Sequence, residues 1–297
     1  MRSDLQIRIF SCLVALGVCF LTAAAPCASG PQEIGNARTV LAIVDDPRTR
    51  RPIVDVGADD FIVQEGAESR EILSVRMADY PVVVMIDISG PADELALIQK
   101  AAKHFIQRLG NERAVAVGAF GSSPTILAGF DADRADLLNK VDEVVAATSG
   151  NGSALQAAAL AAQTLAATGS LFSSIVVLSG GGTDGSAPES QDVVAPLVGS
   201  GAILHVVASR AGQSDGATTS KSGGTTALRT LAAQTRGQFI TIYTAASYQA
   251  ALEQIAVRMA SELMIEYLVP KQSKPADVRL GVRIAGARVR GFGVAPR

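Results

Sequence analysis

The sequence predicts an α/β protein built on a mostly parallel sheet. Residues 82–86 form an uninterrupted apolar run, and comparable runs recur at 114–120 and 174–178. Stretches with helical periodicity lie between them, the first at 94–109. Strands that are apolar on both faces and alternate with helices are typical of a sheet covered by helices on both sides. We therefore expect a three-layer, doubly wound domain over residues 80–262.

Residues 1–29 are predicted to be an export signal. Arg2 and Arg8 precede an apolar run at 9–20, and small residues follow at 22–25. A positive start, a short apolar stretch and small residues, in that order, are the pattern of a cleaved secretory signal. The mature protein is therefore expected in the periplasm or outside the cell.

Cleavage fits after Ala24, Ala25 or Ser29. An uncleaved membrane anchor and a lipid attached to Cys27 stay open as alternatives. The signal holds all three cysteines of the chain, which are Cys12, Cys19 and Cys27. The mature protein is then expected to have no disulfide and no thiolate chemistry.

A small β segment is expected over residues 30–79. Its short strand candidates are 39–44, 52–56, 60–64 and 72–75, separated by charged or glycine-containing turns. About forty residues with this little apolar content cannot form a stable unit alone.

The segment 80–262 alternates strands with helices. The expected strands are 82–89, 114–120, 124–130, 174–179, 203–208 and 239–243. The expected helices are 94–109, 134–146, 153–167, 191–198, 227–236 and 247–260. Ser153 is expected to cap its helix, as a serine at that position commonly does.

The segment 263–297 returns to β structure. It contains strand candidates at 263–269 and 278–284, and the turn at 285–287 predicts a hairpin with 288–292. We expect these strands to pair with 30–79 in a small β-sandwich, because neither segment can stand alone.

The stretch from Pro270 to Arg297 is strongly basic, with one acidic residue, Asp277. Its basic residues are Lys271, Lys274, Arg279, Arg283, Arg288, Arg290 and Arg297. The arginines fall at alternate positions, which favours the solvated face of an amphipathic sheet. A contact face for an anionic partner or a cell-envelope polymer is the alternative.

Asp87 and Ser89 follow the first strand of the α/β segment directly. Open α/β sheets carry their ligand sites at the carboxyl ends of the strands, so these residues lie where a site is expected. Nucleic acid is an unfavourable partner because the formal net charge is -2. With 4% aromatic residues and no tryptophan, stacking on bases or sugars is equally unfavourable.

Several segments, in order, resemble a von Willebrand factor A-type domain of the secreted bacterial kind with flanking β segments. Residues 82–89 are similar to its first strand and Asp-x-Ser motif, 152–155 to its Gly-Thr-Ala-Leu, and 175–181 to its Val-Leu-Leu-Ser-Asp-Gly. Residues 59–66 resemble the segment ahead of the domain, and 266–268 resemble the strand after it.

The resemblance implies a metal-ion-dependent adhesion site that is degenerate in this chain. Asp87 and Ser89 match the family's motif, and Ser153 stands at its threonine position. Pro91 replaces the motif's second serine and Gly180 its later aspartate, so a hydroxyl and a carboxylate are lost. Mg²⁺ needs well-placed oxygen ligands, so we expect no Mg²⁺ binding in the physiological range. Asp184, four residues after Gly180, is the alternative ligand.

The expected function is that of a non-enzymatic protein-binding module with no cofactor and no bound metal. A protein partner would contact the carboxyl edge of the sheet through Asp87, Ser89 and Ser153. The alternative is a nucleotide-dependent enzyme, because Gly180-x-Gly182-x-x-Gly185 matches a dinucleotide fingerprint. No catalytic pair accompanies that motif. The two histidines, His104 and His205, carry no nucleophile motif and are expected to be structural.

Overall fold

The computed structural model describes residues 36–147, 152–180, 191–210, 222–271 and 276–295. The strands of this part are β1 (Asn36–Asp46), β2 (Arg51–Pro52), β3 (Phe61–Glu65), β4 (Glu68–Arg70), β5 (Ile72–Met77), β6 (Val82–Asp87), β7 (Val115–Phe120), β8 (Pro124–Ala128), β9 (Ser174–Ser179), β10 (Ile203–Ser209), β11 (Phe239–Ile242), β12 (Leu263–Val269), β13 (Val278–Val282) and β14 (Arg288–Ala295). The helices are α1 (Ala92–Arg108), α2 (Arg134–Asp142), α3 (Ala154–Ala166), α4 (Gln191–Ser200), α5 (Ser222–Gln234) and α6 (Tyr248–Met259).

The central sheet has the strand order β11-β10-β9-β6-β7-β8 in the described part of the chain. Its neighbouring strands are parallel, except that β8 runs antiparallel to β7 at one edge. β6 lies in the interior, where Val82 is opposite Val115 of β7 and Ser174 of β9. The α/β class predicted from the sequence is confirmed.

Alternate residues of β6 face two separate apolar clusters. Val82, Val84 and Ile86 pack with residues of α1, α2 and α6, whereas Val83 and Met85 pack with residues of α3, α4 and α5. All five side chains have 0% exposure. Burying such a side chain contributes about 1.5–3 kcal/mol, so β6 is a main source of this sheet's stability.

Two further sheets, which we call the outer sheets, combine strands from both ends of the described chain. One has the order β14-β1-β12-β5, with β2 also paired to β1, and the other has the order β13-β3-β4. β1 is thus flanked by β12 and β14, and β3 by β13, all antiparallel. Residues of both sheets share a third apolar cluster that contains Phe61, Val63, Ile265 and Tyr267.

A buried ion pair joins the two outer sheets. The Arg38 guanidinium of β1 donates to the Glu65 carboxylate of β3, and their side chains are 9% and 1% exposed. Arg70 of β4 places its Nε 3.5 Å from the second Glu65 oxygen. A buried carboxylate is tolerated only when it is paired, so these arginines let Glu65 occupy the core.

The hairpin predicted between 278–284 and 288–292 is wrong. A turn does follow β13, with Gly286 at a φ of 79°. However, β13 pairs with β3 and β14 pairs with β1, so the two strands enter different sheets. Alternating hydrophobicity predicts a strand but not the sheet to which it belongs.

A β-bulge in β14 directs one side chain toward the α/β part. Leu41 is opposite Gly293 and Ala42 is opposite Gly291, which leaves Phe292 without an opposite residue. Phe292 packs against the cluster of α1, α2 and α6, and the Arg258 guanidinium lies 4.5 Å from its ring centroid. Bulges redirect side chains in this way, and here the redirected ring contacts the neighbouring sheet's core.

The two connections between the α/β part and the outer sheets meet at Ala78 and Glu262. The Ala78 N–H donates to the Glu262 carbonyl at 2.8 Å. The Glu262 side chain is fully buried, accepts from the Tyr80 hydroxyl and lies 3.3 Å from the Arg258 Nε. Burial raises the pKa of Glu262, and the hydrogen bonds from Tyr80 and Arg258 oppose this change.

Element boundaries differ from the predictions in a few places. The strand expected at 52–56 is limited to Arg51–Pro52, and the helix expected to reach residue 146 ends at Asp142. Asp133 caps that helix by accepting from the Asp136 N–H at 2.8 Å. In the described part of the chain, no helix combines the length and apolar character that crossing a bilayer requires.

Candidate functional site

The candidate site lies at the carboxyl edge of the central sheet, where parallel strands end side by side. β6 ends at Asp87 and β9 at Ser179, and these strands are direct neighbours. The edge therefore brings together the loop that follows Asp87 and the residues that follow Ser179. The sequence places polar groups at both points.

Asp87 is 4% exposed, and each of its carboxylate oxygens accepts hydrogen bonds from the protein itself. Oδ1 accepts from the Ser89 N–H at 2.9 Å and from the Ser89 hydroxyl at 2.6 Å. Oδ2 accepts from the Gly180 N–H at 3.0 Å. The bond from the Ser89 N–H is one that an aspartate before a turn commonly accepts. Through its other oxygen, Asp87 also links the loop after β6 to Gly180, which follows β9.

Ser153 begins α3 and is 6% exposed. Its hydroxyl accepts from the Gln156 N–H at 3.2 Å, so it caps the helix as expected from the sequence. The preceding Gly152 lies against the Gly121 carbonyl, which a Cβ at this position would approach to 2.4 Å. Any larger residue there would displace the start of α3 from the sheet edge.

A second carboxylate, Glu94 of α1, lies beside Asp87 and was missed by the sequence analysis. A Cβ built on Gly180 would lie 3.8 Å from the Asp87 Oδ2 and 3.9 Å from the Glu94 Oε1. Burial raises the pKa of Glu94, and the charges of Asp87 and Asp93 raise it further, while a hydrogen bond with Ser209 lowers it.

Tyr248 contacts this group of residues at the end of β9. Its hydroxyl donates to the Ser179 carbonyl at 2.5 Å. Burial raises the pKa of Tyr248, and the Glu94 and Asp87 charges raise it further. Tyr248 is therefore a neutral hydrogen-bond donor that fixes the end of β9.

Two positions at which the resemblance implies metal ligands offer no side-chain oxygen. Pro91 is the N-cap of α1 and makes no side-chain hydrogen bond, and Gly180 contributes only its backbone. Asp184 lies outside the described residues. Among the residues that are described, no group of three or more His, Cys, Asp or Glu side chains could hold a metal ion.

The dinucleotide-like motif and the two histidines do not form a site in the described part of the chain. Gly182 and Gly185 of the dinucleotide-like motif lie outside the described residues. His205 is fully buried in β10 and accepts from the Gln238 N–H, and burial lowers its pKa to about 3. His104 lies on α1, where its Nε2 is 3.8 Å from the Glu253 carboxylate on α6.

Residues 82–183 match the family model of the von Willebrand factor type A domain. The chain contains a von Willebrand factor type A domain. The matched range starts at β6 and includes Asp87, Ser89, Ser153 and Gly180. The matched range thus contains the three residues that the sequence analysis selected for the binding rim, which are Asp87, Ser89 and Ser153.

Solved structures share the fold at low sequence identity. The von Willebrand factor type A protein from Catenulispora acidiphila has 13% identity and a TM-score of 0.50, with 90% of this chain and 74% of that chain covered. Proximal thread matrix protein 1 from the mussel byssus has 14% identity and a TM-score of 0.50, with 70% of this chain and 50% of that chain covered. No curated protein matches the sequence significantly.

Proposed function

We propose that the protein is an exported, non-enzymatic protein-binding module whose A domain holds a degenerate metal-ion-dependent adhesion site. The partner protein contacts the carboxyl edge of the central sheet without a bridging metal. Asp87, Ser89 and Ser153 form the remnant rim of the site. No cofactor takes part in this proposal.

The observation that carries the proposal is the hydrogen bonding of Asp87. Both of its oxygens accept from N–H or O–H groups of Ser89 and Gly180. A metal ion needs oxygen lone pairs directed at one point, whereas the Gly180 N–H directs a hydrogen toward Asp87. The residues present therefore do not fit the metal that the family resemblance implies.

Contact with a partner at this edge would use the groups that remain accessible. Ser89 and Glu94 are half-buried, and Glu94 adds a carboxylate beside Asp87. Such groups form direct or water-mediated hydrogen bonds with a protein surface. Binding of this kind should survive chelation of divalent cations.

Metal titration tests the degenerate site. Calorimetric titration with Mg²⁺ and Mn²⁺ should give no sub-millimolar binding to the natural chain, and sub-millimolar binding would contradict the proposal. The double variant Pro91→Ser, Gly180→Asp restores a hydroxyl and a carboxylate at the two positions. Metal binding gained only by that variant would support both the placement of the site and its loss.

Partner capture tests the binding edge. The full chain, crosslinked in its native cell envelope, should retain a specific protein in the presence of EDTA. Ser89→Arg, which adds bulk and charge at the rim, should reduce that capture, whereas Arg108→Ala on the opposite part of α1 should not. Capture that requires a divalent cation would contradict the metal-independent edge.

The absence of enzymatic activity is part of the same proposal. His205 is buried in β10, His104 lies on the surface of α1 near Glu253, and the described residues of the site form no nucleophile and base pair. Calorimetric titration with NAD(H) and NADP(H) is the direct check, because the motif at 180–185 would predict a dinucleotide ligand. Measurable heat of binding would favour the nucleotide-dependent alternative.

We also propose the domain organisation 1–29 signal, 30–79 β segment, 80–262 A domain and 263–297 β segment. The pairing of β1 with β12 and β14 supports a small β-sandwich made of the two β segments, beside a doubly wound A domain. Deleting 264–297 should then increase hydrogen exchange in 38–78. N-terminal sequencing of the native protein tests export, and an intact Met1 would contradict it.

A further inference from the structure

Arginines from two distant parts of the sequence meet at one end of the outer sheets. β1 ends at Asp46, the turn after it contains Arg48 and Arg50, and β2 begins with Arg51. On the other side of β1, β14 begins with Arg288, which is opposite Asp45. We call this group, with Arg290, the arginine tip.

The register of the strands defines the geometry of the arginine tip. β2 and β14 pair with opposite sides of β1, so the backbones of Arg51 and Arg288 lie about 10 Å apart across the sheet. Arg51 is opposite Asp46 and Arg288 is opposite Asp45, so the two arginines are on opposite faces of the sheet, and Arg288 and Arg290 form the face that the proposal below uses. Arg288 and Arg290 lie on the same face of β14, about 7 Å apart along the strand. All five arginines are exposed.

The positive charge of the arginine tip is only partly neutralised by its two aspartates. Asp45 lies 3.6 Å from Arg290, and Asp46 accepts from the Arg48 N–H and the Thr49 hydroxyl within the turn. None of the ion pairs between described residues uses Arg48, Arg51 or Arg288. The tip is a basic surface on a chain whose formal net charge is -2.

The backbone of the turn is left-handed at Arg50. Arg50 has a φ of 56°, in the left-handed region that favours glycine. Its N–H donates to the Asp46 carbonyl at 2.7 Å, so the turn itself requires this conformation. An arginine thus occupies a position where glycine would be less strained, and it adds a positive charge to the tip.

We infer that the arginine tip binds an acidic polypeptide segment with carboxylates at alternate positions. Guanidinium groups bind carboxylates through paired hydrogen bonds, and every basic residue of the tip is an arginine. Alternate residues of an extended chain are about 7 Å apart, which matches the separation of Arg288 and Arg290. This surface is independent of the A-domain rim and does not rest on the function proposed for it.

The probe is a short fluorescent peptide with glutamates at alternate positions, titrated with the full chain and followed by fluorescence anisotropy. The natural chain should bind it, with affinity that falls as salt rises. The double variant Arg288→Ala, Arg290→Ala should bind about tenfold more weakly. The matched control Arg76→Ala, Arg108→Ala removes two exposed arginines elsewhere and should leave binding unchanged.

The variant Arg50→Gly tests whether weaker peptide binding comes from the lost charge and not from a less stable protein. It removes a charge and relieves the left-handed backbone, so the melting temperature should stay or rise while the affinity for the peptide falls several-fold. Equal weakening by the control variant, or an Arg50→Gly affinity equal to that of the natural chain, would overturn the inference. Stronger binding to inorganic polyphosphate or to phosphatidylglycerol vesicles than to the peptide would overturn the assignment to a polypeptide.

Discussion

The central sheet and the outer sheets place their charged groups differently. Residues 82–86 in the middle of β6 are all apolar and fully buried, and the first charge appears at Asp87, where the strand ends. The outer sheets instead hold the Arg38 and Glu65 pair within their core. A core of apolar contacts loses stability in proportion to the atoms removed, whereas a buried ion pair fails when either partner is lost.

The largest expected effect is at Glu65. Glu65→Ala removes the carboxylate that pairs with Arg38 in the core and leaves Arg70 with Glu68 alone, so the free energy of unfolding should fall by about 3–5 kcal/mol. Urea denaturation measures the loss, and hydrogen exchange should rise in β1 and β3. Glu68→Ala is the control, because this residue also contacts Arg70 but its side chain is 70% exposed. A loss below about 1 kcal/mol for Glu65→Ala would show that the pair is dispensable.

The next effect is a cavity in the core beside the central sheet. Ile98 of α1 is 1% exposed, and Ile98→Ala should lower the free energy of unfolding by about 3 kcal/mol. Leu97→Ala on the exposed side of the same helix should cost far less. The double variant Ile98→Ala, Glu65→Ala should lose the sum of the two single values within about 0.5 kcal/mol. A larger departure would show that the two regions are energetically coupled.

The third effect concerns His205, a polar residue buried within the central sheet. Its pKa is lowered to about 3 by burial, so the unfolded chain binds its proton more readily. Stability should therefore be lost as the pH falls below about 6.5, by about 2 kcal/mol at pH 5. In His205→Asn this part of the pH dependence should disappear, as measured by urea denaturation between pH 7 and pH 4.

The difference between the natural chain and His205→Asn isolates this contribution. The pKa values of Glu262 and Glu94 are raised by burial, so their protonation favours the folded state as the pH falls. They are present in both proteins and cancel in the difference. Parallel pH profiles for the two proteins would contradict the assignment to His205.

The smallest effect is a gain in stability at the outer sheets. Arg50→Gly should raise the free energy of unfolding by about 1 kcal/mol, because glycine adopts the left-handed conformation without steric cost. Arg48→Gly removes the same charge from the same turn and is not expected to stabilise the protein. Thermal denaturation of the two variants at equal ionic strength distinguishes backbone strain from charge repulsion.

The sequence predicted the central sheet well because each strand there has its own local signal. Ser174–Ser179, which is β9 of that sheet, was predicted with the bounds that the structure has. A short apolar run that ends at a glycine or at two polar residues predicts a strand, even when the strands that pair with it are unknown. The outer sheets were harder, because β1 pairs there with strands more than 200 positions away in the sequence.

The candidate site was predicted only in part for a similar reason. Asp87, Ser89 and Ser153 follow local motifs and could be selected from the sequence. Glu94 has the appearance of an ordinary acidic residue in the first turn of a helix, where it is favourable in any protein. Its position beside Asp87 depends on how α1 packs on the sheet. The arginine tip depends in the same way on the pairing of β1 with β2 and β14.

The hydrogen bond between Ala78 and Glu262 shows where the protein could be re-engineered by replacing a domain. The α/β part of the chain begins and ends at one point of the outer sheets, so its two ends are adjacent. A different domain with closely spaced termini could be grafted there without lengthening any strand of the outer sheets. The α/β part and the arginine tip can therefore be changed separately, because each is attached to the outer sheets at a different place.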